Sequence, residues 1–279
     1  EERRQLAGEV QVGLPVALAG VLGFPVAHSR SPDLQNAAFE SVGLDWRYVK
    51  LPVPPMLFAE TVRALPGSGF RGANVTIPHK HAALELADER TPAAAAIGAA
   101  NTLTFLDGGG IEAENTDAPG FLAALGEDPR GLSAVVLGAG GAGRAVAWAL
   151  REAGAAEVAV WNRTPERAEA LAENLGVRHV LRPPTSDLLV NATSVGLAPH
   201  LDEASTLAAL HLDELDPPRV VVDLVYGAQP SGLLGWAARG GSRTVDGLEV
   251  LVRQGALSFQ RWTGIEPPID AMRAAATSS

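Results

Sequence analysis

The chain has 279 residues, of which 47% are hydrophobic and 19% charged, as is typical of a folded protein with one large or two medium domains. Its formal net charge of −10 argues against nucleic acids and anionic membranes as partners, because both require a basic surface. The absence of cysteine excludes disulfides and thiolate metal sites, and no apolar run reaches the ~20 residues of a membrane span. We therefore expect a cytoplasmic protein that binds a small molecule.

The first half of the chain alternates short apolar runs with segments of helical length, which predicts βαβ units and a parallel sheet. Strands are predicted at VALAGVLG (16–23), WRYVKLPV (46–53) and GANVTI (72–77). Helices are predicted from 32 to about 43, over 56–65 and from about 78. The segment ANTLTFLDGGGIEAENTD (100–117) predicts a β-hairpin.

The second half begins after Gly120 and Phe121 and repeats a strand, turn and helix pattern. This pattern occurs in SAVVLGAGGAGRAVAWALREAG (133–154) and in EVAVWNRTPERAEALAENLG (157–176). Two further strands are predicted in LLVNATSVG and RVVVDLVYG, and a helix in GLEVLVRQGALSFQRWTG after about 246. We expect the tail after Ala274 to be frayed.

A glycine turn connects the first strand and helix of the second half. Its residues, Gly138-Ala139-Gly140-Gly141-Ala142-Gly143, fit the dinucleotide-binding pattern G-x-G-x-x-G. The first glycine permits a tight turn, the second lets a pyrophosphate approach the backbone, and the third lets the helix pack closely on the strand. The helix N-terminus would then hold the phosphates. The alternative is a purely structural turn.

The end of the next strand distinguishes the two nicotinamide cofactors. Proteins that bind NAD usually have Asp or Glu there, whereas this chain has Trp161-Asn162-Arg163-Thr164. Arg163 can neutralise a 2′-phosphate, and Arg167 lies one turn into the following helix. The pattern therefore favours NADP. The alternative is that Arg163 is a solvated cation and that Thr164 is only a helix N-cap before Pro165.

Polar side chains follow the strands of the first half, at the sheet edge where open α/β sheets bind ligands. They are Ser29, Ser31, Thr76, Lys80, Asn101 and Asp117. Two hydroxyls beside a helix N-terminus suit a carboxylate, although Ser31 before Pro32 is also typical of an N-cap.

Lys80 is one of only two lysines, while arginine accounts for the other twenty of the 22 basic residues. Ketone reduction requires a proton donor, and a lysine beside a carboxylate can exchange a proton whereas an arginine cannot. We therefore predict Lys80 and Asp117 as an acid–base pair. The six histidines are scattered and no G-x-S-x-G motif occurs, so we expect neither a metal site nor a serine hydrolase.

The motifs together resemble those of the shikimate dehydrogenase family. They are GFPVAHSRSPDLQNAAF, GANVTIPHK, IGAANT, ENTDAPGF, GAGGAGRA, WNRTPER, NATSVG and VDGLEVLVRQGALSFQRWTG, in the order in which that family has them. The resemblance implies a two-domain α/β fold. A substrate domain of open α/β type would comprise residues 1–117 and the C-terminal helices of 246–279, and a Rossmann-type NADP-binding domain would be inserted at 118–245.

The resemblance further implies reversible NADPH-dependent reduction of 3-dehydroshikimate to shikimate, a step in chorismate and aromatic amino acid biosynthesis, by a monomer or homodimer. The implied catalytic pair is Lys80 and Asp117. The implied substrate-binding residues are Ser29, Ser31, Thr76, Asn101, Asp117, Tyr226 and Gln254. The implied cofactor-binding residues are Gly138, Ala139, Gly140, Gly141, Ala142, Asn162, Arg163, Thr164, Arg167, Leu224 and Gly247.

Two alternatives stay open. One is a quinate/shikimate dehydrogenase that also uses NAD, although Arg163 argues against it. The other is a catalytically silent NADP-binding regulator, which would not need to retain Lys80 or Asp117. The chain departs from the family pattern at Gln35, where histidine is common, at Glu249, where glycine is more usual, and in the segment after Tyr226 in VDLVYGAQPSG.

Overall fold

The computed structural model of the chain describes residues 17–197, 201–227 and 231–278. These residues form two six-stranded sheets. The first sheet contains β1 (Ala17–Gly23), β2 (Trp46–Pro52), β3 (Phe70–Val75), β4 (Glu89–Arg90), β5 (Thr102–Phe105) and β6 (Ile111–Glu114). The second contains β7 (Ser133–Leu137), β8 (Glu157–Trp161), β9 (Arg178–His179), β10 (Leu188–Asn191), β11 (Val220–Asp223) and β12 (Arg243–Val245).

Eleven α-helices within the described residues cover the sheets. Those before the second sheet are α1 (Ser31–Ser41), α2 (Phe58–Ala64), α3 (Lys80–Leu86), α4 (Pro92–Ile97) and α5 (Asp117–Leu125). The later ones are α6 (Gly141–Glu152), α7 (Pro165–Leu175), α8 (Glu203–Ala209), α9 (Gly232–Arg239), α10 (Gly247–Thr263) and α11 (Ile269–Thr277). Two short 3₁₀ turns occur at Pro55–Leu57 and Pro66–Ser68. None of the helices in the described ranges is long and apolar enough to cross a membrane.

The first sheet is mixed, with the strand order β2-β1-β3-β5-β6-β4. Strands β1, β2 and β3 are parallel, as the βαβ pattern predicts. The predicted hairpin is confirmed as β5 and β6, and it extends the sheet by antiparallel pairing of β5 with β3. The carboxyl ends of β1 and β3 therefore lie side by side, next to the start of β5.

The second sheet is entirely parallel, in the order β12-β11-β10-β7-β8-β9. Strands β7 and β10 lie at the centre of this sheet. Strands β8 and β9 follow β7 on one side, and β11 and β12 follow β10 on the other, which is the doubly wound order of a Rossmann fold. Strands β10 and β11 are buried along their whole length, as expected for strands covered on both faces. The point where the strand order reverses lies between β7 and β10, directly beside the glycine turn.

Helices α10 and α11 return to the first sheet and pack against α1. Phe39 of α1 stacks on Phe259 of α10 with a centroid distance of 5.6 Å, and Met272 of α11 is fully buried in the same cluster. The prediction of a frayed tail after Ala274 is wrong, because α11 continues to Thr277 and buries Ala276. We use "first half" for the first sheet with α1 to α4, α10 and α11, and "second half" for the second sheet with α6 to α9, while α5 connects the two.

Candidate active site

The predicted acid–base pair forms where two helices begin. Lys80 is the first residue of α3 and Asp117 the first residue of α5. The Lys80 Nζ atom donates to Asp117 Oδ2 at 2.6 Å, and the two side chains are only 14% and 16% exposed. Because few water molecules can reach this pair, its attraction is screened less than that of a surface ion pair.

Asn101 makes the second polar contact of Asp117 and links it to Gln254. The Asn101 side-chain amide donates to Asp117 Oδ1 at 2.8 Å and to Gln254 Oε1 at 3.1 Å. Its own oxygen accepts the backbone N–H of Thr116 at 2.7 Å, which fixes the orientation of the amide. Both oxygens of Asp117 therefore accept a hydrogen bond from a positioned donor, Oδ2 from Lys80 and Oδ1 from Asn101.

A buried polar cluster that the sequence analysis did not identify lies beneath these residues. The Asn74 amide donates to Ser258 Oγ at 2.8 Å, to Thr102 Oγ1 at 3.1 Å and to the backbone oxygen of Asn101 at 3.2 Å. The Thr116 hydroxyl lies 3.0 Å from that of Thr102 and 2.9 Å from the Asn101 amide nitrogen. The cluster joins α10 to the end of β3 and to the hairpin. It thereby fixes the backbone and side chain of Asn101.

The two predicted serines lie together in the loop after β1. Ser29 Oγ donates to Ser31 Oγ at 3.2 Å, and both residues are buried. The interpretation of Ser31 as an N-cap is wrong, since Arg30 occupies the N-cap position of α1 and Ser31 is already its first residue. The Ser31 hydroxyl therefore does not cap the helix and is available for other contacts.

Both tyrosines of the chain face this serine pair, although only Tyr226 was predicted. Burial raises the pKa of Tyr226, and hydrogen bonding to the backbone of Arg30 and the hydroxyl of Ser29 opposes part of this shift. Burial raises the pKa of Tyr48 even further, with the Ser31 hydroxyl opposing it and Tyr226 adding to it. The Tyr48 hydroxyl donates to Asn74 Oδ1 at 2.7 Å, so it connects the serine pair to the buried cluster. Both phenols remain neutral proton donors near neutral pH.

Thr76 lies in the turn between β3 and Lys80, where its methyl group packs against Gly23 at the end of β1. The turn is held by a hydrogen bond of 2.9 Å from the backbone N–H of His79 to the Thr76 carbonyl. The ring of His79 stacks on Phe58 and bonds to the Val53 carbonyl at 2.7 Å, and burial lowers its pKa. His79 therefore supports the turn that presents Thr76 and Lys80.

The glycine turn after β7 has the geometry that its three glycines predict. Gly138 adopts a φ of 109°, and a Cβ atom there would lie 2.8 Å from the Ala192 carbonyl oxygen. A Cβ atom at Gly143 would collide with the Gly138 carbonyl oxygen. A Cβ atom at Gly140 would instead meet no atom within 4 Å. The turn is thus closed towards the protein and open at Gly140, where a ligand can approach the backbone.

Asn162 connects the glycine turn to the end of β8, because its Oδ1 accepts the backbone N–H of Ala139 at 3.2 Å. Beyond it Arg163, Thr164 and Arg167 are exposed, and no acidic side chain in the described ranges lies within 4.0 Å of either arginine. Thr164 does occupy the N-cap position of α7, but its side chain makes no capping hydrogen bond. Two uncompensated cations and a hydroxyl therefore lie beside the glycine turn.

Leu224 and Gly247 come together where the second half meets α10. A Cβ atom at Gly247 would lie 2.5 Å from the Leu224 carbonyl oxygen, so only glycine allows α10 to begin here. Just before Leu224, Asp223 is 1% exposed, and burial raises its pKa to about 6. The short segment from Leu224 to Tyr226 thus extends from a buried carboxyl group to the serine pair.

Two of the three departures from the family pattern have structural roles, and the third, after Tyr226, includes residues 228–230, which lie outside the described residues. Gln35 of α1 donates to the Gly255 carbonyl of α10 at 2.9 Å, next to Gln254. Glu249 accepts hydrogen bonds from Arg253 at 2.7 Å and from Arg273 at 2.9 Å, which ties α10 to α11. Neither Gln35 nor Glu249 was predicted to bind the substrate or the cofactor. No group of three or more potential metal ligands occurs in the described residues.

Three family models match successive parts of the chain. The model of the shikimate dehydrogenase substrate binding domain matches residues 21–103, and that of shikimate/quinate 5-dehydrogenase matches residues 124–198. The model of the shikimate 5′-dehydrogenase C-terminal domain matches residues 247–277. The matched ranges contain Lys80, Asn101, the glycine turn and Gln254.

Whole-chain comparisons agree with these matches. The shikimate dehydrogenase (NADP(+)) of Methanopyrus kandleri is 44% identical over 95% of this chain and 97% of its own. The crystal structure of shikimate 5-dehydrogenase from Thermus thermophilus, in complex with NADP(H) and shikimate, has 44% identity and a TM-score of 0.80 over 93% of this chain and 98% of its own. The ligand-free 5-ketofructose reductase of Gluconobacter sp. strain CHM43 has 31% identity and a TM-score of 0.79 over 95% and 99%. The chain therefore belongs to the shikimate dehydrogenase family.

Proposed function

We propose that this protein catalyses the reversible NADPH-dependent reduction of 3-dehydroshikimate to shikimate. The observation that carries the proposal is the Lys80–Asp117 contact of 2.6 Å, largely shielded from water and directly beside the glycine turn. The relatives named as shikimate dehydrogenases (NADP(+)) support the same substrate and cofactor. The role of each residue below is part of the proposal.

Lys80 is the proton donor in the direction of reduction. Its ammonium group has three N–H bonds, one of which is directed at Asp117, so the others can reach a substrate oxygen. Lys80 and Asn101 each donate to one oxygen of Asp117, which holds the carboxylate beside the ammonium group. The contact with Asp117 orients the ammonium group of Lys80. In the reverse direction the neutral amine accepts the proton of the substrate hydroxyl.

The hydroxyl groups near the serine pair suit the substrate carboxylate. Ser29, Ser31 and Tyr226 can each donate a hydrogen bond, and burial keeps the tyrosine protonated. The Arg30 side chain is tied to the Ala276 carbonyl at 2.7 Å, so recognition relies mainly on neutral donors. Thr76, Asn101, Asp117 and Gln254 offer donors and acceptors for the ring hydroxyls. A substrate ring that is held at its carboxylate and at its hydroxyl groups presents one ring carbon to the cofactor.

The second half has features that suit a dinucleotide with an additional phosphate group. Gly138, Ala139, Gly140, Gly141 and Ala142 leave the backbone open at Gly140, at the N-terminus of the 12-residue helix α6. Arg163 and Arg167, with Asn162 and Thr164, suit the additional phosphate that distinguishes NADP from NAD. Leu224 and Gly247, which contact each other, would lie near the nicotinamide. When bound, NADPH supplies the hydride that goes to the carbonyl carbon.

The domain organisation proposed from the motifs follows the same division. Residues 1–117 and 246–279 would form the substrate domain, and residues 118–245 the NADP-binding domain. The packing of α10 and α11 on α1 supports the discontinuous first domain. Helix α5 lies at the boundary, since its Asp117 faces the first half while its Phe121 is buried in the core of the second.

The initial rate of NADPH formation from NADP⁺ and shikimate tests the proposal, with quinate and NAD⁺ as parallel controls. We expect a rate confined to shikimate with NADP⁺. Comparable rates with quinate or NAD⁺ would instead identify a broader quinate/shikimate dehydrogenase. No turnover with any pair, together with measurable NADP⁺ binding, would refute the catalytic proposal and indicate a silent NADP-binding protein.

A further inference from the structure

Arg144, one residue beyond the glycine turn, bonds α6 to the end of α4, a helix of the first half whose Ile97 side chain is buried in the core of the second half. It belongs to the first turns of α6, yet its Nε donates at 2.7 Å to the carbonyl of Ile97, the last residue of α4. Its guanidinium covers Gly98, where a Cβ atom would lie 2.9 Å from Nη2 and where φ is 75°. The start of α6 is thereby attached to the chain segment that precedes Asn101.

The charge of Arg144 has no partner of opposite sign in the described parts of the chain. No carboxylate there lies within 4.0 Å of its guanidinium, which is partly buried, and burial lowers its pKa. The carboxyl end of α4 offers only partial compensation through its backbone carbonyls. Because a half-buried cation with little compensation is unfavourable for folding alone, its position calls for a functional explanation.

Lys80 lies between the two segments that Arg144 connects. On one side, its backbone carbonyl accepts the N–H of Ala100 at 2.8 Å, and the neighbouring His81 ring bonds to the Gly98 carbonyl at 3.0 Å. On the other side, its side chain packs against Gly141, where a Cβ atom would lie 2.9 Å from both Cβ and Cδ of Lys80. The lysine is therefore held at its backbone by the first half and along its stem by the second.

We propose that Arg144 is a positioning residue that sets the separation between Lys80 and the glycine turn. Its bond to Ile97 keeps Gly141 against the stem of Lys80, so that the ammonium group points at Asp117 and at the substrate oxygen. This inference rests on the proposed function, but the position of Lys80 can be measured without turnover.

Arg144 could instead act only as a cation at the C-terminus of α4. Its removal would then reduce the stability of the fold and leave the lysine and the catalytic rate unchanged. The two roles are separated by comparing kcat, NADP⁺ affinity and the environment of Lys80 in the same variant.

Arg144→Met removes the contact between the halves, and Arg151→Met is the matched control. Arg151 lies two turns further along α6 and also donates to a backbone carbonyl, that of Leu175, but this contact stays within the second half. We expect Arg144→Met to lower kcat by about 10- to 100-fold while the Kd for NADP⁺ changes less than about twofold. Arg151→Met should leave kcat unchanged. Arg144→Lys, which can still donate to Ile97, should recover most of the lost rate.

The environment of Lys80 is observed by NMR with ¹³C-labelled lysine, because the chain has only two lysines and hence two Cε signals. The Lys80 signal, assigned with Lys80→Met, should shift in Arg144→Met and not in Arg151→Met. An unshifted signal, or equal kcat values in the two methionine variants, would overturn the inference. If the unmodified protein does not oxidise shikimate, the proposed function fails, while the NMR comparison still decides whether Arg144 positions Lys80.

Discussion

Replacement of Asp223 by asparagine should change the pH dependence of stability. The carboxylate is 1% exposed and accepts hydrogen bonds from Asn191 at 2.9 Å, from the backbone of Val225 at 3.0 Å and from Ser231 at 2.5 Å. These three donors favour ionisation, but burial outweighs them and raises the pKa from 3.8 to about 6. Asparagine has the same shape, keeps the acceptor oxygen and does not titrate.

The size and sign of the effect follow from this pKa. A difference of about two units between folded and unfolded chains corresponds to about 3 kcal/mol, at 1.36 kcal/mol per unit. Because the folded pKa is the higher one, the folded state binds the proton more tightly. The stabilisation is therefore fully present below pH 3.8 and is lost as the pH rises through about 6. Between pH 8 and pH 5, Asp223 alone should raise the free energy of unfolding by about 1.4 kcal/mol.

Urea unfolding of the unmodified protein and of Asp223→Asn at pH 5 and pH 8 measures this effect. The difference in unfolding free energy between the two proteins should change by about 1.4 kcal/mol between the two pH values, in favour of the unmodified protein at pH 5. Asp187→Asn is the control, because hydrogen bonds from Ser133 lower the pKa of Asp187, which thus stays ionised at both pH values. An Asp223→Asn difference that does not vary with pH would show that the three donors keep Asp223 ionised, and the reasoning would be refuted.

Three further predictions concern the proposed site. Lys80→Met should lower kcat by about 10²- to 10⁴-fold with unchanged NADPH binding, measured by steady-state kinetics and fluorescence titration, because it removes the proton donor. A smaller loss would mean that another group supplies the proton. Arg163→Gln should raise the Kd for NADP⁺ about tenfold and leave that for NAD⁺ unchanged, since one charged contact to a phosphate is lost; equal effects on both would place Arg163 outside the phosphate site. Ser258→Ala should lower the free energy of unfolding by about 1–2 kcal/mol and also reduce kcat, because it leaves the Asn74 amide one acceptor short beneath Asn101. An unchanged kcat would limit the buried cluster to stability.

The second half was predictable because its constraints are local. Each of the three pattern glycines of the turn is required by local backbone geometry or by a close backbone approach. All three requirements arise within a few residues of one another. Strands covered on both faces produce uninterrupted apolar runs, such as Val220 to Val222, which need no knowledge of the partner strands.

Helix α5 could not be predicted in this way. Its sequence, DAPGFLAAL, contains a glycine, which disfavours helices, while its proline lies in the first turn, where proline is tolerated. The glycine is required by packing, because a Cβ atom at Gly120 would lie 2.8 Å from the backbone of Gln254. The helix is stabilised by burial of Phe121 and Leu125, and thus by tertiary contacts that outweigh local propensity. The two-residue strand β9 and the three-residue strand β12 are likewise too short for a periodic pattern.

Within the site, the type of a residue indicated which chemistry it could perform, but only its three-dimensional contacts determine how its side chain is oriented. The two lysines illustrate this distinction. Lys50 is as rare by type as Lys80, but it is exposed and donates at 2.5 Å to the carbonyl of Ala27, so its contact is with backbone alone. Lys80 instead faces a carboxylate whose second oxygen is held by Asn101. Asn101 is in turn held by Asn74 and Thr116, and both of these bond to Ser258. A polar residue such as Ser258, on a helix more than 140 positions away, would be taken for a surface residue from sequence. Its burial beneath Asn101 follows only from the return of α10 to the first sheet.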